Sequence, residues 1–100
     1  MRVIALQNIR DFCLRHPGAA PALQAWAQEA RTATWETPQD IKNRYSSASF
    51  LGQNRVVFNI KGNEYRLIVA VAYRFEAVYI KFIGTHAQYD AIDAQTIEME

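Results

Sequence analysis

Residues 55–83, RVVFNIKGNEYRLIVAVAYRFEAVYIKFI, decide the fold. Val56, Phe58 and Ile60 alternate with Arg55, Val57, Asn59 and Lys61, the period of a strand with one buried face. Gly62-Asn63 is turn chemistry, and Tyr65 to Phe75 beyond it is nearly continuous in apolar residues, as in a central strand covered on both sides. A second turn near Glu76-Ala77 leads into Val78 to Ile83. The stretch predicts an antiparallel meander.

Upstream the period changes. Val3 to Leu6 suits a short first strand, after which Leu6, Ile9, Phe12 and Cys13 recur at helical spacing until Pro17-Gly18 stops them. Ala20-Pro21 opens a second helix with the apolar stripe Leu23, Trp26, Ala27 and Ala30. Thr37-Pro38-Gln39-Asp40 starts a third, with Ile41 and Tyr45 on its buried side. Ser46 to Ser49 and Gly52 to Asn54 read as loop. Downstream, Thr85-His86-Ala87-Gln88 fits a capping box, so a short helix begins there. The expected fold is α+β: N-terminal helices packed on a twisted, mainly antiparallel sheet, with a short C-terminal helix. Residues 1–100 are expected to form one domain.

The formal charge of +1 does not mark a nucleic-acid binder, but the distribution is uneven. Lys42, Arg44, Arg55, Lys61, Arg66, Arg74 and Lys81 face only Glu64 and Glu76 in the same span, whereas beyond Ile83 come Asp90, Asp93, Glu98 and Glu100 with no Lys or Arg. The single Cys13 excludes an internal disulfide and suits a reducing compartment, the cytoplasm by default. The start of the chain does not match a signal peptide, and no run of about 18 apolar residues suggests a membrane span. Walker, dinucleotide, nucleophile-elbow and zinc-protease motifs are absent.

Pairing across Gly62-Asn63 brings Arg66 close to Asn59 and Lys61. A charge at the head of a hydrophobic strand either meets a carboxylate, Glu64 being the candidate, or faces an open cleft. At the Thr85 cap, the first N–H groups of the helix are expected to face solvent and favour a phosphate beside His86. An imidazole there can exchange a proton near neutral pH, and Tyr89 projects near the same place one turn on. A lone His at a helix start is nonetheless commonly a surface residue, and Tyr89 with Ile92 can be the apolar side of a terminal helix. Taken alone, the residues leave catalysis, noncatalytic RNA or ribosome binding, and docking of an acidic protein segment open. His86 with Asp90, or Cys13 with His16, lacks the third ligand of a metal site, so no metal or cofactor is expected. Tyr45, Tyr65, Tyr73 and Tyr79 are candidates for stacking on bases or for sheet packing.

The run Asn59-Ile60-Lys61-Gly62-Asn63-Glu64-Tyr65-Arg66-Leu67, with Thr85-His86-Ala87-Gln88-Tyr89-Asp90-Ala91-Ile92-Asp93, resembles the HigB family of bacterial toxins. In outline the resemblance spans the chain. It implies a RelE-like fold whose sheet receives RNA opposite the helices, and a metal-independent mRNA endonuclease acting on translating ribosomes. It also implies a helix-turn-helix antitoxin as partner. The chemistry implied is attack of a ribose 2′-OH on the adjacent phosphate, with His86 as acid or base and Arg66, with Lys61 or Lys81, stabilising charge. On the same reading Tyr89 positions the scissile group or shares proton transfer, Asn59 orients its neighbours, and Arg55 and Arg74 join Asn59 in RNA contact.

Overall fold

A computed structural model describes residues 1–99. Its elements, in chain order, are β1 (Arg2–Ile4), α1 (Leu6–Arg15), α2 (Ala20–Thr32), α3 (Pro38–Arg44), β2 (Ser49–Phe50), β3 (Arg55–Ile60), β4 (Tyr65–Ala72), β5 (Ala77–Thr85) and α4 (His86–Asp90), with single 3-10 turns at Pro17–Ala19 and Tyr73–Phe75. The strands form one sheet in the order β1-β5-β4-β3-β2. All neighbours are antiparallel except β1, which runs parallel to β5 as Arg2↔Ala77 to Ile4↔Tyr79. The fold is thus the expected α+β arrangement, with a parallel edge strand added to the meander.

Each helix follows from its local chemistry. α1 buries Ile9 and Phe12 and ends where the His16 N–H bonds to the Phe12 carbonyl just before Pro17. α2 buries Leu23, Trp26, Ala27 and Ala30, the stripe expected of it. α3 is capped by Thr37, whose hydroxyl accepts from the Asp40 N–H, while the Asp40 carboxylate accepts from the Glu36 and Thr37 N–H groups at 2.9 and 3.1 Å. Glu29 on α2 accepts from the Arg44 guanidinium and, at 2.8 Å, from the Tyr45 hydroxyl, which ties α2 to the end of α3.

The helices cover the face of the sheet that presents Val56, Phe58, Leu67, Val69, Val71 and Val78. Phe58 is the hub: its ring meets Trp26 edge-on at 5.3 Å and Tyr45 at 5.1 Å and stacks with Trp35 at 6.3 Å. Each such pair adds about 0.5–1.5 kcal/mol beyond the area it buries.

The second face carries Asn59, Arg66 and Gly84 in one row and Val57, Ile68 and Phe82 in the next. Val57 was expected to point outward, yet it is buried, because the C-terminal segment after α4 lies over this face. Ser49–Phe50, read as loop, is a short strand paired with Val56 and Val57. Lys61 lies outside β3: its φ of 53°, followed by Gly62 at 65°, places it in the hairpin turn, where strand alternation no longer decides its direction. No helix among the described residues is long and apolar enough to cross a membrane.

Candidate active site

β4 brings Arg66 to the second face of the sheet, opposite Asn59 of β3 and Gly84 of β5. Its guanidinium donates to the carbonyls of Asn63 (3.1 Å) and Tyr65 (3.3 Å) and lies 5.7 Å from the centre of the Tyr89 ring. Among the described residues no carboxylate pairs with it; Glu64, the expected candidate, instead lies 3.5 Å from the Lys61 Nζ. Neutral acceptors and a ring face hold the cation without cancelling its charge, which leaves it free to meet an anion.

α4 begins as its sequence dictates. The Thr85 hydroxyl accepts from the Gln88 N–H at 3.2 Å, and Gln88 Oε1 accepts from the Thr85 N–H at 2.9 Å. The His86 N–H donates to the Glu64 carbonyl at 3.0 Å, which docks the helix start on the β3–β4 hairpin. This alters the expected phosphate site: the His86 and Gln88 N–H groups already have partners, so of the first three N–H groups only that of Ala87 is left for an anion, which would otherwise rest on side chains. One turn on, Asp90 Oδ2 lies 3.1 Å from His86 Nδ1, with both side chains largely exposed. A carboxylate on Nδ1 fixes the ring tautomer and leaves Nε2 as the exchangeable nitrogen.

Gly84 permits this packing. A Cβ at that position would stand 2.5 Å from Phe82 Cζ and 2.9 Å from Gln88 Oε1. Without one, the Phe82 ring lies across β5 and meets Tyr89 at 6.4 Å.

Of the residues expected at the site, His86, Tyr89, Arg66 and Asn59 converge at this end of the sheet. Lys61 does not join Arg66: a Cβ at Gly18 would stand 3.6 Å from both the Lys61 Nζ and the Tyr65 hydroxyl, so Lys61 leans toward the helical side of the hairpin. Lys81 is bound to Glu98 at 2.7 Å. Arg55 is only 4% exposed, beneath the C-terminal segment, and donates to the carbonyls of Ala94 (3.2 Å) and Ile97 (2.7 Å) and to Glu98 (2.6 Å). The hydrogen bond from Lys81, with the charges of Lys81 and Arg55, holds the Glu98 carboxyl below the usual carboxylate range. Arg74 sits past the far end of β4, roughly 25 Å of strand from Arg66 at about 3.3 Å per residue.

Sequence reasoning passed over Asp90, Gly84 and Glu98. The spacing of His86 and Asp90 was visible but weighed only as a metal pair. Among the described residues no group of three or more His, Cys, Asp or Glu is placed to hold a metal ion.

Residues 19–92 match the family model described as HigB toxin, the RelE-like toxic component of a toxin–antitoxin system. The chain belongs to the HigB toxin family. Its relatives align over nearly their whole length. The mRNA interferase toxin HigB of Escherichia coli strain K12 is 26% identical over 97 residues, covering 94% of this chain and 92% of the relative. The mRNA interferase HigB of Shigella flexneri matches to the same extent, and one from another Escherichia coli strain is 22% identical over 94 residues. The HigB match includes the β3–β4 hairpin, β5 and α4, hence every residue of the cluster around Arg66 and His86.

Proposed function

We propose that this chain is an mRNA interferase, the endoribonuclease toxin of a toxin–antitoxin pair, working in the cytoplasm on mRNA being translated and held inactive by a helix-turn-helix antitoxin. One observation carries the catalytic reading: the His86–Asp90 pair stands on the same short helix as Tyr89, whose ring supports a guanidinium with no carboxylate partner among the described residues. Family membership and the names of the relatives support RNA as the substrate.

In-line cleavage needs a base for the ribose 2′-OH, a proton for the departing 5′-oxygen and positive charge for the phosphorane. His86 Nε2 takes the 2′-OH proton, Asp90 holding the ring from Nδ1. The 2′-oxygen bonds to phosphorus, the P–O5′ bond breaks as the departing 5′-oxygen takes a proton from the Tyr89 hydroxyl, which solvent water then restores, and the products are a 2′,3′-cyclic phosphate and a 5′-OH. Arg66 stabilises the charge on the nonbridging oxygens, and Tyr89 keeps the scissile group against Arg66 and shares in proton transfer. Asn59, facing Arg66 across the strands, orients it. No step calls for a metal. Lys61 contacts the RNA backbone from the hairpin turn, whereas Arg55 and Lys81 are committed to Glu98 and Arg74 stands apart.

Mapping mRNA 5′ ends after expression tests this. Wild type should create new 5′-OH ends within coding sequence, and His86→Ala and Arg66→Ala should abolish them while remaining folded. Growth arrest with intact transcripts would instead favour noncatalytic binding.

A further inference from the structure

The sheet end that carries Arg66 and His86 has a second concavity around its edge. β1 covers β5 only over Ala77–Tyr79, so the outer edge of β5 from Ile80 onward has no strand beside it among the described residues. A groove of about 410 Å³ opens there, with Arg15 and His16 of the α1 end on one side, Gln88 and Ile92 on the other, and Phe82 and Ile83 of β5 between them.

Its parts are fixed in place. The His16 ring stacks on Phe12 at 4.4 Å and meets the edge of Tyr65 at 6.0 Å, while the Arg15 guanidinium lies 5.9 Å from the Phe12 ring centre. Among the described residues no carboxylate lines the groove. Beyond His16, the Lys61 Nζ and Tyr65 hydroxyl converge on Gly18. Phe82 links the groove to the candidate active site, because its ring meets Tyr89, and Tyr89 carries Arg66. Gln88 belongs to the cap that starts the His86 helix, and with Oε1 held by the Thr85 N–H its amide nitrogen has no partner among the described residues.

Flat rings, a guanidinium, a free amide donor and an absence of acids match a nucleobase with its phosphate. An acidic peptide would meet the same cation but leave the aromatic faces unused. We propose that this groove receives the base of a nucleotide adjoining the cleaved phosphodiester, and that Arg15, Phe82 and Gln88 determine which RNA sequences are cut. This rests on the RNA-cleavage reading above.

The experiment is 5′-end mapping and cleavage kinetics in a translating extract for wild type, Arg15→Gln, Phe82→Leu and the control Arg10→Gln, which makes the same charge change elsewhere on α1. Circular dichroism melts accompany each protein. Arg15→Gln and Phe82→Leu should raise KM by roughly tenfold, the scale of losing a stacked base, and should broaden the base distribution beside the cut. Arg10→Gln should do neither. If Arg15→Gln, an exposed substitution that keeps the fold, leaves both KM and base distribution at wild-type values, the groove is no base site although the cleavage reading stands. If wild type cuts no mRNA in this extract, the cleavage reading and the groove assignment both fall.

Discussion

The Asp90 carboxylate lies 3.1 Å from Nδ1 of His86, one helical turn away on α4. Because both side chains face solvent, the pair contributes little to stability. Its consequence is geometric: Nδ1 of the imidazole is occupied, and Nε2 is the nitrogen to which the proposed mechanism assigns the reacting proton.

His86→Ala should therefore lower the single-turnover cleavage rate by about 10²–10⁴-fold, the usual contribution of a positioned acid or base. Asp90→Asn should cost less, about tenfold, since it disturbs the tautomer and orientation but not the reacting group. The double variant should be no worse than His86→Ala, because residues acting as a unit are not additive. Additive losses would show that Asp90 acts independently of His86.

Arg66 offers a separate test. Arg66→Lys keeps the charge but loses the planar fork that binds the Asn63 and Tyr65 carbonyls and rests on Tyr89. If Arg66 stabilises the phosphorane, Arg66→Lys should reduce kcat by about 10²–10³-fold, the scale of one lost transition-state donor. An equal rise in KM with kcat intact would make Arg66 an RNA-docking residue instead.

Much of this site was legible in the sequence because its rules are local. The period of Val56, Phe58 and Ile60, the Thr37 and Thr85 caps and the pairing of Asn59 with Arg66 all depend on near neighbours, and each is present. What was not legible depends on distant chain. Arg55 reads as an outward cation, but its partners Ala94, Ile97 and Glu98 come from the far end of the sequence. Alternation shows that Val57 and Val56 face opposite ways; it cannot show that the chain's own tail covers the Val57 side. Lys61 misled for a local reason, since a positive φ ends the alternation one residue earlier than the composition suggests.

Gly84→Ala should couple stability to activity. The added methyl would collide with Phe82 and with the Gln88 oxygen that caps α4, so the Phe82 ring and the cap must both move. A loss of roughly 1–3 kcal/mol is expected for such overpacking. Denaturant melts should report it, together with reduced cleavage, because α4 carries His86. An unchanged midpoint would mean that Phe82 relocates freely and does not brace α4.

The C-terminal segment makes stability depend on pH through Glu98. Lys81 and Arg55 hold this carboxyl below its ordinary range, so the folded state binds the Glu98 proton more weakly than the unfolded chain does. The resulting stabilisation is fully present above the unfolded carboxyl value, near 4.3, and is lost as pH falls through the lower folded value. Wild type should consequently lose melting temperature on acidification through that window. Glu98→Gln should melt lower at neutral pH and show a flatter acid limb. Arg55→Ala should be the more damaging change, by about 2 kcal/mol, because the buried guanidinium also satisfies the Ala94 and Ile97 carbonyls. Parallel acid limbs for wild type and Glu98→Gln would place the linkage on a different carboxylate.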